Sequence, residues 1–354
     1  MAVLVTGGAG FIGSHMVACL RDAGRDVVVV DDLSSGHRDV VPPDVPFVPA
    51  NVADQDAIAA VLARHHVDAI VHFAARIQVG ESITSPRLYW TGNVGATTQL
   101  LECALDAGVR SFILSSTAAV YGTPERVPIV ESDPTRPINP YGETKLTIER
   151  MLASYTRAYG LRFAALRYFN AAGADASRGL GERHDPETHL IPLVLDAALG
   201  RRDAIPVFGR DYDTPDGTCI RDYIHVVDLA EAHLAALEYL EGGGESGAFN
   251  LGTGVGHSVD DVIRACEAVT GREIPVVYGP RREGDPARLV ASPRLAEERL
   301  GWKATRSSLD RIASDAWEAR GNSPTARADE GVLRSAPPRD ESARPRDEEN
   351  AHVR

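Results

Sequence analysis

The chain has few cysteines and no long apolar run. Its cysteines, Cys19, Cys103, Cys219 and Cys266, lie far apart among 354 residues and form no C-x-x-C pair. This spacing argues against a disulfide framework and favours free thiols in a reducing compartment. No apolar run approaches the roughly 20 residues of a transmembrane helix. Because the chain begins directly with a predicted strand, we expect no signal peptide and a cytoplasmic protein without a membrane partner.

Basic residues are scarce relative to acidic ones. The 37 lysines and arginines face 50 aspartates and glutamates, which gives a formal net charge of −13 and a pI near 5.3. This balance argues against nucleic acid or an anionic membrane as a partner. Histidine, cysteine and acidic residues show no metal-ligand spacing, so the sequence predicts no metal site.

The first 32 residues carry the pattern of a dinucleotide-binding unit. A short apolar strand over 2–5 leads into the glycine-rich stretch 6–13, a periodic helix follows, and a second strand ends at Asp31 and Asp32. This order of strand, glycine turn, helix, strand and acid is typical of dinucleotide-binding proteins. The glycines suit a tight turn and a close backbone approach to pyrophosphate, which the N-terminus of the helix also favours.

Asp31 stands at the end of the second predicted strand. A carboxylate there can accept hydrogen bonds from the ribose hydroxyls of a cofactor. Its negative charge repels the 2′-phosphate of NADP. The sequence therefore predicts NAD as the cofactor.

Strands and helices alternate over residues 1–170, which predicts an α/β fold with a doubly wound, Rossmann-like parallel sheet that binds NAD at the carboxyl ends of its strands. Residues 171–319 are expected to form a smaller C-terminal α/β domain for the substrate, a sugar nucleotide, and residues 320–354 a disordered tail. The predicted strands are 47–48, 69–73, 111–114 and 163–166, and the predicted helices are 56–64, 93–107, 141–159, 227–240 and 259–270, the last with Ser258 as its N-cap and Gly271 just past its end.

Tyr141 and Lys145 stand four residues apart in a predicted helix, which places them on one face. A cation beside a phenol favours the phenolate and lowers its pKa from about 10. Such a tyrosine can act as a general acid and base on a sugar hydroxyl. The pair alone is weak evidence, since chance pairs of this kind are common, and it gains weight from the N-terminal unit.

With these residues in view, the chain resembles the extended short-chain dehydrogenase/reductase family from residue 2 to about 318. The glycine turn and the Tyr-x-x-x-Lys pair are common to many members, whereas the later motifs are similar to those of its sugar-nucleotide epimerases. The motifs that carry the resemblance are 6–15, 31–36, 79–82, 115–122, 139–145, 167–170, 216–230 and 281–287.

The resemblance implies a 4-epimerase that interconverts UDP-galactose and UDP-glucose through a 4-keto intermediate, with transient hydride transfer to bound NAD. Tyr141 would take the proton of the sugar 4-hydroxyl. Lys145 would hold the nicotinamide ribose and lower the Tyr141 pKa, and Thr117 would hydrogen-bond the reacting hydroxyl.

The resemblance also implies two sets of binding residues. Asn93 would support the cofactor near Tyr141, and Asn170 would contact the substrate diphosphate. The implied cofactor set is Gly7, Gly10, Phe11, Ile12, Gly13, Asp31, Asp32, Asn51, Val52, Phe73, Ala74, Ala75, Asn93, Ser115, Tyr141, Lys145 and Tyr168. The implied substrate set is Thr117, Tyr141, Asn170, His189, Leu190 and Phe208 (the last two beside the uracil), Arg221 and Arg282 on phosphate, and Asp285 on the ribose.

Several positions depart from the family pattern. Asn51 replaces an aspartate near the adenine, and His189 replaces an asparagine that some members place next to the nucleotide. Ile77 stands where some members have a lysine near the pyrophosphate, a charge that the adjacent Arg76 could supply. Leu289 aligns with a gate that is tyrosine in members restricted to non-acetylated sugars, so N-acetylated hexosamines could also fit.

Alternative functions remain open at this point. A sugar-nucleotide 4,6-dehydratase needs an Asp-Glu pair after the threonine, and Ala118 and Ala119 stand there instead, which argues strongly against dehydration. An epimerase of a UDP-N-acetylhexosamine or a UDP-pentose is compatible with the sequence. A non-catalytic NAD-binding regulatory protein is a further alternative, since fold does not fix function. Relatives imply a homodimer through 93–107 and 141–159.

Overall fold

The structure is a computed structural model that describes residues 2–282 and 285–322. Its strands are β1 (Ala2–Thr6), β2 (Asp26–Val30), β3 (Phe47–Val48), β4 (Val67–His72), β5 (Ser111–Thr117), β6 (Arg162–Tyr168), β7 (Asn170–Ala172), β8 (Ile205–Phe208), β9 (Ile220–Arg221), β10 (Tyr223–His225), β11 (Gly247–Leu251), β12 (His257–Ser258), β13 (Val276–Gly279) and β14 (Arg288–Leu289). Its α-helices are α1 (Phe11–Asp22), α2 (Gln55–His65), α3 (Val79–Thr84), α4 (Pro86–Tyr89), α5 (Ala96–Asp106), α6 (Pro140–Tyr159), α7 (Leu190–Ala198), α8 (Val226–Glu241), α9 (Val259–Thr270), α10 (Arg294–Leu300) and α11 (Leu309–Asn322).

Seven strands form one parallel sheet in the order β11–β6–β5–β4–β1–β2–β3. The central strands are apolar along their whole length because helices cover both faces of the sheet. On one face α1 and α8 pack on Val3 and Val5, and on the other α2, α5 and α6 pack on Leu4. The strand order reverses between β1 and β4, so the ligand crevice of this fold lies at their carboxyl ends. The predicted fold class is confirmed.

A second, smaller region has its own core. α7, α9 and α11 pack together, with β8 and β13 beside them, and β9 pairs with β12 and β14. The helix α9 begins and ends where the sequence predicts. Ser258 and Asp261 form a reciprocal capping box, and Gly271 ends the helix in the left-handed conformation.

A buried aspartate ties the segment 305–307, which precedes α11, to the sheet region. Asp228 in α8 is fully buried and accepts hydrogen bonds from the amides of Thr305 (3.0 Å) and Arg306 (2.8 Å) and from the Ser307 hydroxyl (2.6 Å). These bonds satisfy a carboxylate that would otherwise be costly to bury. They fix the segment before α11 against the helix that covers the sheet.

The packing differs from the predicted division at residue 170. α8 packs against α1, and β11 pairs with β6, although both come from the part assigned to the second domain. A parallel pair needs a long crossover connection, and residues between 168 and 247 supply it before the chain returns to the sheet.

Two boundaries within the helices also differ. The predicted helix 93–107 begins as a π-helical turn, Trp90–Gly95, and continues as α5. α11 ends at Asn322, so residues 320–322 of the predicted tail are helical. The rest of that tail lies outside the described residues.

Candidate active site

The glycine turn between β1 and α1 leaves no room for a side chain at Gly7 or Gly13. The amide of Gly10 donates to the carbonyl oxygen of Gly7 (3.2 Å), and α1 begins at Phe11 without a side-chain cap. A Cβ on Gly13 would lie 2.0 Å from the Gly7 carbonyl oxygen, and one on Gly7 would lie 2.6 Å from the amide nitrogen of Ala74. The turn therefore brings the N-terminus of α1 to the carboxyl edge of the sheet, where it suits a pyrophosphate.

The acid at the end of β2 is held by the glycine turn itself. The Asp31 carboxylate accepts hydrogen bonds from the amides of Ala9 and Leu33, both at 2.9 Å, and burial raises its pKa. The next acid, Asp32, accepts a hydrogen bond from the Asn51 side-chain amide (2.7 Å). Asn51 therefore has its amide engaged by the neighbouring acid, and Val52 after it is buried in the core.

The N-terminus of α6 sets the position of Tyr141. Asn139 caps the helix by accepting from the Gly142 amide (2.9 Å), and Pro140 occupies the first helical position. Tyr141 is therefore in the first turn, and Lys145 lies one turn further on the same face.

Burial raises the pKa of Tyr141 to about 12, while a hydrogen bond with the Thr117 hydroxyl acts to lower it. The Lys145 ammonium donates to the carbonyl oxygen of Ser115 (2.7 Å). Burial lowers the pKa of Lys145 to about 8, and the nearby Glu149 carboxylate opposes that shift. In the protein alone the Tyr141 pKa thus differs from the prediction, because burial raises it and Lys145 bonds to the backbone of β5.

The end of β5 gathers further hydroxyl groups around this pair. The Ser115 hydroxyl hydrogen-bonds the hydroxyl of Tyr168 at the end of β6. Thr117 caps the turn that follows by accepting from the Ala119 amide (3.1 Å). Because β5 and β6 are paired Ser115 to Leu166 and Thr117 to Tyr168, these groups share one edge.

A buried ion pair behind these residues was not predicted. Glu149 and Arg167 are 7% and 8% exposed and lie 2.5 Å apart, and the Ser116 hydroxyl donates to Glu149 (2.5 Å). Arg167 also donates to the Tyr121 hydroxyl (2.9 Å). The spacing of Lys145 and Glu149 in one helix was the available signal.

Asn93 lies in the π-helical turn and is 1% exposed. Its side chain accepts from the Arg76 amide (2.8 Å) and donates to the Arg76 carbonyl oxygen (3.1 Å) and to the Thr144 hydroxyl (3.2 Å). It therefore joins the loop after β4 to α6 beside Tyr141. This loop contains Phe73, whose ring packs on the ring of the buried His233 (4.8 Å), and the predicted residues Ala74 and Ala75.

The predicted substrate residues of the second region meet in pairs. Arg221 forms an ion pair with Asp285, and the Arg282 guanidinium lies 4.2 Å from the centre of the Phe208 ring. Arginine beside an aromatic ring offers both a phosphate ligand and a stacking surface. Asn170 begins β7 with its amide bonded to the Asp222 carbonyl oxygen (3.1 Å), next in sequence to Arg221.

Leu289 connects these pairs to the catalytic segment. It pairs with Arg221 between β14 and β9, and it packs on the cluster of Val120 and Tyr121 that follows Thr117.

The two positions considered for a charge near the pyrophosphate lie in the loop after β4. The Arg76 guanidinium lies 3.7 Å from the carboxylate of Glu81, and the Ile77 side chain is 42% exposed.

His189 and Leu190 lie at the start of α7, beside a group of histidines and glutamates that sequence reasoning missed. One donor atom from each of Glu182, His184, Glu187 and His189 lies within 4.8 Å of the others. Their sequence spacing, E-x-H-x-x-E-x-H, was the signal that could have revealed them.

The matching family model covers residues 3–252 and describes the NAD dependent epimerase/dehydratase family. Together with the sheet order, the glycine turn and the Tyr141–Lys145 pair, this match establishes that the chain belongs to that family. Among the described residues no helix is long and apolar enough to cross a membrane.

Three individual relatives that this chain is similar to are UDP-glucose 4-epimerases. The chain is 51% identical over 317 residues to the UDP-glucose 4-epimerase of Halalkalibacterium halodurans, covering 90% of this chain and 95% of the relative. The solved UDP-glucose 4-epimerase of Brucella ovis in complex with NAD is 50% identical, with a TM-score of 0.87, and the match covers 89% of this chain and 97% of that one. The Stenotrophomonas maltophila enzyme of the same name, with bound NAD and formylated UDP-arabinopyranose, is 42% identical, with a TM-score of 0.89 and coverage of 93% and 99%.

Proposed function

We propose that this protein is an NAD-dependent sugar-nucleotide 4-epimerase that interconverts UDP-galactose and UDP-glucose. The observation that carries the proposal is the packing of α6, with Tyr141 in its first turn, on β5, which ends with Thr117 at the carboxyl edge of the sheet. Two relatives that are 51% and 50% identical to this chain, over 90% and 89% of its length, are named UDP-glucose 4-epimerase.

The residues of the cofactor edge fit NAD. The close backbone packing at Gly7 and Gly13 holds the N-terminus of α1 at the strand edge, where its amides suit the pyrophosphate, and the Asp31 carboxylate suits the adenosine ribose. Bound oxidised NAD would supply the hydride acceptor and a positive charge that favours the Tyr141 phenolate. Lys145 and Ser115 would orient the nicotinamide ribose at the end of β5.

The chain's own part in the reaction is to hold the sugar and move one proton. Tyr141 would take the proton of the 4-hydroxyl and later return it to the same oxygen, once the 4-keto sugar has turned and hydride can be added to its opposite face. Thr117 would hold the reacting oxygen at hydrogen-bond distance. Arg221 and Arg282 would bind the diphosphate, and Phe208 would stack on the uracil, so that the sugar can turn while the nucleotide stays bound.

The test is conversion of UDP-galactose to UDP-glucose by the purified chain without added NAD. We expect turnover and a near-stoichiometric amount of NAD released on denaturation. Bound NAD without turnover of any UDP-sugar would contradict the proposal and favour a non-catalytic NAD-binding role.

A second candidate activity is 4-epimerisation of another UDP-sugar. Leu289 favours it, because a leucine packed on the cluster that contains Val120 and Tyr121 would fill less of the sugar pocket than a tyrosine. Comparing kcat/KM for UDP-galactose and UDP-N-acetylgalactosamine tests this, with Leu289→Tyr expected to lower activity on the N-acetylated sugar selectively.

We also infer a homodimer in the cytoplasm, the latter supported by the four free cysteines. Support for the dimer comes from exposed apolar side chains on the elements that pack on α6: Ile83 is 62% exposed and Trp90 43%. Sedimentation equilibrium should give a dimer for the native chain and a monomer for Ile83→Glu. Val277→Glu, changed at an equally exposed position (61%) on β13, should leave the dimer intact.

A further inference from the structure

The loop before α7 gathers two imidazoles and two carboxylates at one point. The Nδ1 atom of His184 lies 3.1 Å from Oε1 of Glu182 and 3.8 Å from Oε1 of Glu187. The Nδ1 atom of His189 lies 2.6 Å and 3.4 Å from the same two oxygens. Both rings thus direct the same nitrogen at the same pair of oxygens.

These spacings lie near those of a metal-ligand set, and the contact between His184 and Glu182 is also a hydrogen bond. Donor atoms bound to one tetrahedral Zn²⁺ at about 2.0–2.2 Å lie roughly 3.4 Å from each other. The four measured separations fall on both sides of that value. In a set of separate ion pairs, by contrast, each histidine would be expected to face its own carboxylate.

Two atoms of the cluster have no hydrogen bond although they are buried. These atoms are Nδ1 of His189 and Oε2 of Glu187. The His189 nitrogen is close to Glu182, but its approach lacks the direction of a hydrogen bond. A buried polar atom without a partner is costly, and coordination of a cation by its lone pair would remove that cost.

The two carboxylates of the cluster carry two negative charges, which two positive charges would balance. The side chains of Glu182 and Glu187 are only 6% and 11% exposed, and a nearby cation, Arg320, lies 3.9 Å from Glu187 and is also paired with Asp196 at 2.9 Å. Two protons on the imidazoles could supply the charge. A divalent cation would supply the same charge from a single atom at the centre of the cluster.

We propose that Glu182, His184, Glu187 and His189 form a binding site for a divalent transition metal of the Zn²⁺ type. Two imidazoles with two carboxylates suit such ions better than Mg²⁺ or Ca²⁺, which prefer oxygen ligands alone. The site would leave room for water, since the His189 side chain is 44% exposed.

The surroundings of the cluster indicate a structural role for the metal. The His184 ring meets the ring of Phe11, at the start of α1, edge to face with the centres 6.5 Å apart. His189 directly precedes α7, whose first residue is Leu190. A metal here would fix the loop that precedes α7 where it contacts the start of α1, without taking part in the proton transfer.

The experiment measures metal binding on the full chain. Metal is removed from the protein with EDTA followed by dialysis, and the protein is titrated with ZnSO₄ alone by isothermal titration calorimetry. Bound zinc is quantified by inductively coupled plasma mass spectrometry. We expect about one Zn²⁺ per chain, with affinity reduced roughly 100-fold or more in His184→Gln. Co²⁺ bound in its place should give the visible absorption bands of a tetrahedral ion, and Mg²⁺ should not compete.

The matched control is His37→Gln. His37 anchors the same loop through a hydrogen bond between its Nε2 and the Arg183 carbonyl oxygen (2.8 Å), but it is outside the cluster. Zn²⁺ should raise the Tm of the native chain and of His37→Gln, but not that of His184→Gln. If His184→Gln fails to fold by circular dichroism, Glu182→Gln replaces it.

Two results would overturn the proposal. One is the absence of stoichiometric Zn²⁺ binding to the native chain, which would mean that protons alone balance the two carboxylates. The other is equal binding by the native chain and the cluster variants, which would place the metal elsewhere. Both results leave the proposed epimerase activity untouched, because that activity is assayed separately.

Discussion

The cofactor edge and the substrate region of this molecule are built in different ways. At the cofactor edge, groups at the ends of neighbouring parallel strands meet, as Ser115 and Tyr168 do. In the substrate region, a residue of a short strand meets a residue of a loop, as Arg221 of β9 and Asp285 do. The first kind of site follows from register, whereas the second depends on how loops close over one another.

This difference in construction predicts how strongly a substitution should act at each site. Groups fixed by the sheet have buried partners and little freedom, so a change there should affect catalysis or folding strongly. Groups on loops have partly exposed partners, such as Asp285 at 27% exposure, so a change there should weaken binding with less effect on the fold.

The largest effect is expected from Tyr141→Phe, which removes the only group proposed to move the substrate proton. The rate of UDP-galactose conversion should fall roughly 10³-fold, with bound NAD retained. Tyr155→Phe is the matched control on the same helix, because the Tyr155 hydroxyl only bonds Glu102 at the surface. A Tyr141→Phe rate near that of the control would refute the assignment.

Glu149→Gln tests how far the buried network supports the cofactor edge. Leaving Arg167 buried without its partner should lower the free energy of unfolding by about 3–5 kcal/mol in urea denaturation. Glu149 also raises the Lys145 pKa, which burial lowers to about 8. Without that carboxylate the ammonium loses its proton at lower pH, so the alkaline fall in activity should begin at lower pH.

The control for this change is Glu143→Gln, an exposed acid in the first turn of the same helix. Its stability and its pH profile should match those of the native chain. An unshifted alkaline limb in Glu149→Gln would separate the Glu149–Arg167 pair from Lys145 and leave it a purely structural role.

Gly13→Ala tests the backbone of the glycine turn. The added Cβ would lie 2.0 Å from the Gly7 carbonyl oxygen, so the turn must move, at a cost of about 3 kcal/mol or somewhat less. NAD content after purification should fall sharply, as read by absorbance of the denatured supernatant. Gly80→Ala, where a Cβ meets nothing within 4 Å, should retain its NAD.

Arg221→Gln, a change in the substrate region, is expected to give the smallest effect. Loss of a charged hydrogen bond to phosphate should cost about 1.5–3 kcal/mol of substrate binding, seen as a raised KM with kcat largely kept. Arg281→Gln, whose native partner Asp211 is an exposed acid, should leave KM unchanged. A large fall in kcat with KM constant would show that Arg221 positions the reacting sugar instead.

Most of the fold could be predicted from the sequence because its signals are local. Apolar strands such as 27–30, the glycine turn and the capping residue Ser258 each act within a few residues, and each stands where expected. The return of β11 to the sheet could not be read in this way. Nothing within Gly247–Leu251 states that its partner is β6, since pairing is decided by the edge left open after the other strands have formed.

In the candidate site, too, the features with a local signal could be predicted from the sequence and the others could not. Tyr141 and Lys145 were recognisable from helical spacing, but the pKa of Tyr141 was not, because it depends on burial contributed by many parts of the chain. The partner of Arg167 escaped prediction because an isolated arginine on a strand does not indicate which helix faces it. The group around His184 was missed because its four members lie in a loop without periodicity.

The pairing of β6 with β11 has a consequence for synthesis on the ribosome. The amide of Phe163, the second residue of β6, donates a hydrogen bond to the hydroxyl of Ser246, which directly precedes β11 and lies 83 residues later in the chain. Until that length has left the exit tunnel, β6 presents an unpaired edge of the kind that joins other chains. A pause in translation soon after β6 would thus prolong the time in which a nascent chain can aggregate.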